Sequence, residues 1–140
     1  MNESRSKAIR EIWKGNAMMQ TVGIKIENLT EGCVTLAMPI LDDINTNHWL
    51  GIHGGALATL IDSACGIACA TLGFIAQTLN LNINYISNTR GIGPVTATAS
   101  VVHCGQTVIV LTVTVQDELG TRMCEGSSVY FISGQLDAIS

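Results

Sequence analysis

The chain has 140 residues, a net charge of −4, 47% hydrophobic residues and only 13% charged residues. This length fits a single domain, 1–140, and the small basic excess of residues 1–14 is too local for a nucleic-acid footprint. So apolar a chain must hide much of its surface or share it with a neighbouring subunit. We therefore expect a homo-oligomer and exclude a nucleic-acid-binding protein.

The cysteines and the N-terminus indicate the compartment. Five cysteines form no Cys-x-x-Cys pair and accompany no cluster of histidines, so the sequence predicts neither a zinc site nor a disulfide framework. They are typical of small buried side chains in a reducing environment. The first residues mix charges and lack the apolar run of a signal peptide. We expect a cytoplasmic protein with no metal and no other cofactor.

The first third of the chain predicts a helix and then a β-hairpin. Apolar residues at helical spacing predict an amphipathic helix over residues 3–14, and Gly15-Asn16 ends it, so residues 1–20 form an N-terminal helix and lead-in. Alternation over residues 21–29 predicts a strand, and a turn at 30–32 joins it to a second strand over 33–39. A polar, turn-rich loop over 41–52 follows.

A long apolar segment over residues 54–72 predicts the central helix, which Gly73 ends. Its length is near that of a membrane span, but Gly, Ala, Ser and Cys dominate it and Asp62 lies near its middle. A buried helix in a soluble protein fits these residues better. Because its side chains are small, a sheet can approach it closely.

The rest of the chain predicts four strands, over residues 75–86, 95–103, 106–116 and 122–132. Apolar and polar residues alternate strictly along the first of them. One face would carry Leu79, Leu81, Ile83 and Tyr85, and the other Thr78, Asn80, Asn82 and Asn84. The order of elements predicts an α+β fold with one long helix against an antiparallel sheet.

Asp62 is the feature around which the candidate chemistry centres. Between residues 44 and 116 the only charged residues of the Asp, Glu, Lys and Arg types are Asp62 and Arg90. A carboxylate in so apolar a segment costs several kcal/mol to desolvate unless it is paired or hydrogen-bonded, which makes it a candidate functional group. The structural alternative is a buried acid that pairs with Arg90 or accepts hydrogen bonds from Ser63 or Thr59.

Gly54 begins the central helix, where the backbone N–H groups have no intrahelical acceptor and a carbonyl oxygen can approach. With His53 and Gly55 it predicts an oxyanion hole, the alternative being a tight junction between loop and helix. Asp62 follows Gly54 by eight residues, about 12 Å along the axis at 1.5 Å per residue. If the two cooperate, they must therefore come from different subunits of a two-fold dimer.

The pattern Asn47-x5-His53-Gly54-Gly55-x6-Asp62, followed by the strands, resembles the hotdog-fold acyl-CoA thioesterases, in particular their PaaI-like (phenylacetate-degradation) branch. The resemblance covers residues 20–132. It implies a hotdog fold in which an antiparallel sheet of about five to six strands wraps the long helix. It also implies dimers that join their sheets edge to edge and that often pair into tetramers.

The resemblance further implies an acyl-CoA thioester hydrolase that releases free acid and coenzyme A from a medium-chain or aryl-acyl substrate. The Gly54 N–H would polarise the thioester carbonyl, and Asp62 of the opposite subunit would attack it or activate water. The remaining catalytic residues would be Thr78, Asn47 and His53. Contacts to the substrate and coenzyme A are assigned to Gly55, Asn80, Tyr85, Arg90, His103, Gly105, Gln106 and Thr107.

Two other functions compete with this one. A hotdog module that binds acyl-CoA without turnover, as a sensor or scaffold, would use the same surface. A hotdog dehydratase is disfavoured, because no Asp followed by a His at short spacing opens the helix. No Gly-x-Ser-x-Gly elbow supports an α/β-hydrolase.

Overall fold

The computed structural model describes residues 1–88 and 93–138. Two N-terminal helices, α1 (Glu3–Gly15) and α2 (Ala17–Val22), precede the long helix α3 (Gly54–Thr71). Asn16 separates the first two, and its side chain accepts a hydrogen bond from the Met19 N–H at 3.0 Å, which caps the start of α2. The helix predicted over 3–14 and the long helix predicted over 54–72 are confirmed, whereas α2 is not among the predicted elements.

Six strands form one antiparallel sheet in the order β1-β2-β4-β5-β6-β3. The strands are β1 (Lys25–Thr30), β2 (Cys33–Met38), β3 (Phe74–Tyr85), β4 (Val95–Cys104), β5 (Val108–Gln116) and β6 (Arg122–Gln135). A short 3-10 helix (Leu136–Ala138) follows β6. The predicted α+β architecture, with one long helix and a sheet of five to six antiparallel strands, is confirmed.

Helix α3 forms the centre of the core. By length and composition it could cross a membrane, but 56% of its residues are buried within the protein. Its small buried residues, among them Ala64, Ala68 and Cys69, allow the sheet to pack closely around it. It is therefore the buried core helix that the sequence predicts.

The predicted start of β1 is wrong. The alternation of Val22, Ile24 and Ile26 predicts a strand from residue 21, but Val22 ends α2 and β1 begins at Lys25. Gly23, with a φ of +82°, turns the chain between them, and its N–H donates to the Gln20 carbonyl. The apolar spacing fits both elements here, and the cap at the start of α2 favours the helix.

Strand β3 contains a bulge that changes which face Thr78 occupies. Thr78 pairs with Tyr130 and Asn80 pairs with Val129, so Leu79 is an extra residue with no partner of its own across the ladder. Because neighbouring residues of β6 point to opposite faces, Thr78 lies on the inner face and Asn80 on the outer one. The predicted strict alternation, which groups the two together, is therefore wrong at this point.

The N-terminal helices are fastened across α3. Arg5 donates to the Thr71 carbonyl at the end of α3 at 3.0 Å, and its Nη2 lies 2.7 Å from Oδ2 of Asp137. At the other end of α1, the Trp13 indole N–H donates to the Ile24 carbonyl at 2.7 Å. With Ile9 buried between these anchors, α1 and α2 form a fixed wall beside the central helix.

Candidate active site

Two hydroxyl groups, one from each of the paired strands β3 and β6, hold the Asp62 carboxylate. Thr78 on β3 donates to Oδ1 at 2.7 Å, and Tyr130 on β6 donates to the same oxygen at 2.5 Å. The Tyr130 oxygen also lies 2.7 Å from the Asp62 backbone carbonyl. Within the described residues both hydrogen bonds of the carboxylate end on Oδ1, which leaves Oδ2 for water or a substrate.

These contacts bear on the structural alternative for Asp62, in which it pairs with Arg90 or is capped by Ser63 or Thr59. Thr59 donates its hydroxyl to the Gly55 carbonyl at 2.9 Å, so the predicted capping of the carboxylate by Thr59 is wrong. Arg90, the other predicted partner, lies outside the described residues. Asp62 is only partly buried, neutral donors orient one of its oxygens, and its catalytic role remains a prediction.

Tyr130 is the site residue that the sequence does not reveal. It is 2% exposed, and burial, together with its hydrogen bond to Asp62, raises the pKa of its hydroxyl above the usual value. The phenol therefore stays protonated and remains a donor to the carboxylate. Only its pairing with Thr78 across β3 and β6 identifies it, and that pairing joins positions 52 residues apart in the chain.

At the start of α3 a backbone N–H has no acceptor within the helix. Gly54 is the first helical residue, and His53 is the N-cap, whose Nδ1 accepts the Gly55 N–H at 2.8 Å. His53 is therefore engaged in capping, and its accepting Nδ1 is not available as a base. The Gly54 N–H points out of the helix at the positive end of its dipole.

Tyr85 covers this helix start from the side. Its hydroxyl donates to the Gly54 carbonyl at 2.8 Å, and a Cβ added at Gly54 would lie 3.6 Å from its nearest ring carbons, which is ordinary packing. Tyr85 is 53% exposed, so the rest of its ring faces outward. The predicted substrate contact of Tyr85 thus falls beside the Gly54 backbone and remains a prediction.

The loop before the helix is shaped by two asparagines. Asn47 accepts the N–H groups of Trp49 and Gly51 with its side-chain oxygen, at 2.9 and 3.0 Å, which closes a turn. Asn88, which sequence analysis did not single out, donates to the Ile52 carbonyl at 2.7 Å and accepts the Ile52 N–H at 2.9 Å. Asn47 therefore shapes the loop that delivers His53, and a direct catalytic role for it remains a prediction.

The remaining predicted contacts lie away from Asp62 within the chain. Asn80 is on the outer face, where it accepts a hydrogen bond from Asn82 at 2.6 Å. The residues predicted at the β4–β5 turn are at an exposed hairpin, in which the Gly105 N–H donates to the Val108 carbonyl at 2.9 Å. These residues are His103 near the end of β4 and, in the turn, Gly105, Gln106 and Thr107. Their coenzyme A contacts remain predictions.

The three buried thiols offer no competing nucleophile. All five cysteines are free, and burial raises the pKa of Cys65 to about 11, of Cys69 to about 12 and of Cys124 to about 11. These three are therefore neutral thiols and poor nucleophiles near neutral pH. Within residues 1–88 and 93–138, no three His, Cys, Asp or Glu side chains lie together as a metal site would require.

Two cavities meet at Asp62. The larger, of about 620 Å³, runs between α3, the start of β3 and the two N-terminal helices, and the smaller, of about 310 Å³, lies towards Ala58 and Leu81. Thr59, Asp62 and Thr78 line both of them. The carboxylate is thus at the boundary between two spaces.

Comparisons with known proteins identify the family and the fold. A protein of Halobacterium salinarum named as an esterase is 32% identical over 122 residues, which span 81% of this chain and 79% of that protein. The acyl-coenzyme A thioesterase PaaI of Escherichia coli is 28% identical over 95 residues, spanning 68% and 67% of the two chains. Its structure matches with a TM-score of 0.88 over 94% of each chain, at 22% identity in that alignment, which confirms the hotdog fold.

A third match carries a ligand. The hypothetical thioesterase protein of Streptococcus pneumoniae TIGR4, whose crystal structure was determined with coenzyme A, is 26% identical and matches with a TM-score of 0.82 over 89% of this chain and 97% of that one. Residues 51–124, which include Gly54, Asp62 and Thr78, match the family model of the thioesterase superfamily. The chain therefore belongs to the thioesterase superfamily.

Proposed function

We propose that this protein hydrolyses acyl-CoA thioesters to a free acid and coenzyme A. Membership of the superfamily, the similarity to the E. coli acyl-coenzyme A thioesterase and the similarity to a coenzyme A-bound thioesterase protein support the substrate class. The observation that carries the proposal is the Asp62 carboxylate, oriented through Oδ1 by Thr78 and Tyr130 at the junction of two cavities.

The chemistry needs one carboxylate and one oxyanion donor. In one route Asp62 accepts a proton from water, the water oxygen bonds to the carbonyl carbon, the C–S bond breaks and the thiolate takes up the proton. In the other route Asp62 attacks the carbonyl carbon directly, the thiolate leaves, and water then cleaves the resulting anhydride. A thiolate is a good leaving group, so both routes can proceed without a metal ion or a strong nucleophile.

The oxyanion donor that we propose is the Gly54 N–H of a second copy of the chain. Gly54 and Asp62 are eight residues apart on one straight helix, about 12 Å at 1.5 Å per residue, so one chain cannot direct both at the same carbonyl. Two α3 helices that run antiparallel across a two-fold axis would place Gly54 of one beside Asp62 of the other. Each dimer would then contain two equivalent sites.

Strand β3 supports such a dimer. It is an edge strand of the sheet, has 12 residues and contains no charged residue or proline that would discourage pairing. Several of its side chains are exposed, including Leu79 at 62% and Tyr85 at 53%. We therefore propose that two copies join at β3, and that pairs of such dimers form the tetramer expected from the resemblance.

The test is release of free thiol from a panel of acyl-CoAs, measured for the wild type and for Asp62→Asn. We expect the asparagine variant to lose on the order of 10²–10⁴ in turnover, the range that a positioned general base contributes. Asp43→Asn is the matched control, because Asp43 is exposed and its φ of +64° suits asparagine. Binding of acyl-CoA without turnover by the wild type would instead indicate a sensor or scaffold.

A further inference from the structure

The larger of the two cavities at Asp62 does not suit the nucleotide end of an acyl-CoA. Apolar side chains from three directions line it, and Asp62 is the only charged residue among its described lining residues. Among the described residues no Lys or Arg side chain lines it, so none of them offers the nucleotide end of coenzyme A a cationic partner there. An apolar acyl group needs no hydrogen-bond partner, so its burial in this cavity leaves no polar group of the substrate unpaired.

The cavity is elongated along α3. The helix residues that line it are Thr59, Asp62, Ser63, Gly66, Ile67 and Ala70. Their spacing of three and four places them on one helix face. From Asp62 to Ala70 this face extends eight residues, about 12 Å at 1.5 Å per residue. An aromatic ring would occupy only the part next to Asp62, whereas an extended chain can follow the whole face.

Gly66 and Ala70 keep this face open. They lie one turn and two turns beyond Asp62, where larger side chains would project into the cavity. At Gly66 an added Cβ would meet only the Tyr130 ring, at 3.7 and 3.8 Å, which is ordinary packing. The glycine is therefore not required by the backbone, and the space that it leaves belongs to the cavity.

The opposite wall is the N-terminal pair of helices, which contributes Ile9, Ile12, Met18 and Met19. The hydrogen bonds of Arg5 to Thr71 and Asp137 hold the start of α1 against the end of α3. Phe74 and Leu136 line the cavity in the same region, because Leu136 is hydrogen-bonded to the Gly73 carbonyl directly after α3. The cavity thus has a fixed apolar wall and an apolar end.

We propose that this cavity takes an unbranched acyl chain that lies along α3, and that Gly66 and Ala70 set its permitted length. The proposal rests on the proposed thioesterase function and names its substrate class. The acyl carbonyl lies at Asp62, and the chain passes Gly66 before it reaches Ala70. Each additional methylene leaves water for an apolar wall until the end of the cavity is reached.

The first test compares chain lengths. With straight-chain acyl-CoAs from acetyl upwards, we expect kcat/KM of the wild type to rise about fourfold per methylene, the burial free energy of one CH₂ expressed as a ratio. It should then level off, and benzoyl-CoA and phenylacetyl-CoA should be slower than straight chains of equal carbon number. A flat series, or faster hydrolysis of the aryl substrates, overturns the proposal.

The second test shortens the cavity in two steps. We expect Gly66→Leu to retain hydrolysis of the shortest substrates but to abolish the gain from longer chains, and Ala70→Leu to act only on longer chains than those. Gly15→Leu is the matched control, because Gly15 also lies in a helix, meets no atom within 4 Å of an added Cβ and does not line the cavity. Should Gly66→Leu not fold, the smaller Gly66→Ala replaces it.

A binding measurement separates this proposal from the proposed function. Calorimetry of the same acyl-CoAs on Asp62→Asn gives their Kd without turnover. The cavity assignment is supported if Kd falls with chain length in Asp62→Asn and if this trend is lost when Gly66→Leu is added to that variant. This result would stand even if the wild type hydrolyses none of the substrates. Equal Kd values for all chain lengths, or an equal loss for all of them in both leucine variants, overturn the cavity assignment.

Discussion

The hydroxyl of Tyr130 lies 2.5 Å from Oδ1 of Asp62 and 2.7 Å from the backbone carbonyl oxygen of the same residue. One buried phenol thus contacts both the side chain and the main chain of Asp62, the proposed general base or nucleophile. A hydroxyl in this position restricts the side-chain rotation of Asp62 and fixes the direction of Oδ2. Tyr130 is therefore a positioning residue.

Replacing Tyr130 by Phe removes this contact and little volume. We expect kcat to fall about 10- to 100-fold, since a hydrogen bond to a charged group contributes about 1.5–3 kcal/mol, while KM changes little. Steady-state kinetics on one acyl-CoA measure the two parameters separately. A rise in KM with unchanged kcat would show that Tyr130 contributes to substrate binding instead.

Thr78 makes the second contact to Oδ1 and offers a conservative rescue. Thr78→Val keeps the shape and loses the hydroxyl, so we expect a loss of about tenfold in kcat, whereas Thr78→Ser should keep most of the activity. Thr78 is exposed, so both variants should unfold at nearly the wild-type temperature. Equal activity of the two variants would contradict a role for the hydroxyl.

The oxyanion donor can be removed without disturbing the helix. Gly54→Pro deletes only an N–H that has no acceptor within the helix, and the first helical position tolerates proline. His53, with φ −59° and ψ 131°, already has the extended backbone that a residue before proline prefers. We expect a loss of about 10²–10³ in kcat. Gly54→Ala, which retains the N–H, is the control and should stay active.

Mixing two inactive variants tests whether the site is shared. In a dimer of one Asp62→Asn chain and one Gly54→Pro chain, one site carries both changes and the other is intact. Random assortment makes half of the dimers mixed, so about one quarter of the wild-type activity should return after co-refolding. Absence of any recovery in verified mixed dimers would show that Asp62 and Gly54 do not cooperate across subunits.

Asn88 anchors the loop that leads into α3. Its side chain makes two hydrogen bonds to the Ile52 backbone, both partly buried. We expect Asn88→Ala to lower the free energy of unfolding by about 1–3 kcal/mol. Urea denaturation measures this loss, with the exposed Asn84→Ala as a control that should change it by less than about 0.5 kcal/mol. An equal effect in both variants would show that the Ile52 contact contributes nothing specific.

The contact between Arg5 and Asp137, which holds α1 in place, should weaken at low pH. The hydrogen bond from Arg5 lowers the pKa of Asp137 from 3.8, so this carboxylate stabilises the fold above its unfolded pKa and loses that contribution as pH falls through the folded value. We expect thermal unfolding between pH 5 and about pH 2 to depend less on pH in Asp137→Asn than in the wild type. An unchanged pH dependence would show that the pair contributes nothing measurable, as some exposed pairs do.

Much of the architecture can be predicted because the elements differ in period and composition. The run of small apolar residues after Gly54 is too long for a strand, and its single acid marks the site. Val22 shows where this fails, since one apolar residue at a boundary fits a helix end as well as a strand start. The cap made by Asn16 favours the helix, and such a local hydrogen bond is not visible in apolar spacing.

The candidate site is predicted only in part for a different reason. Asp62, Gly54 and Thr78 lie within 25 residues of one another, and their types and spacing point to them. Tyr130 and Asn88 reach the site through strand pairing and loop packing, which depend on the register of distant segments. The β3–β6 ladder shifts register at Ile75/Ala76 and again at Thr78/Asn80, and alternation alone does not reveal these shifts.

The extra residue of β3 has a consequence for the length of the chain. Leu79 is bypassed by the ladder, since Thr78 and Asn80 pair with the consecutive residues Tyr130 and Val129. Deleting Leu79 would leave both of these pairs in place, and every side chain of β3 would keep its face. An internal strand deletion usually turns half of the strand inside out. At Leu79 it would not, so this position can lose a residue while the pairing of Thr78 with Tyr130 stays unchanged.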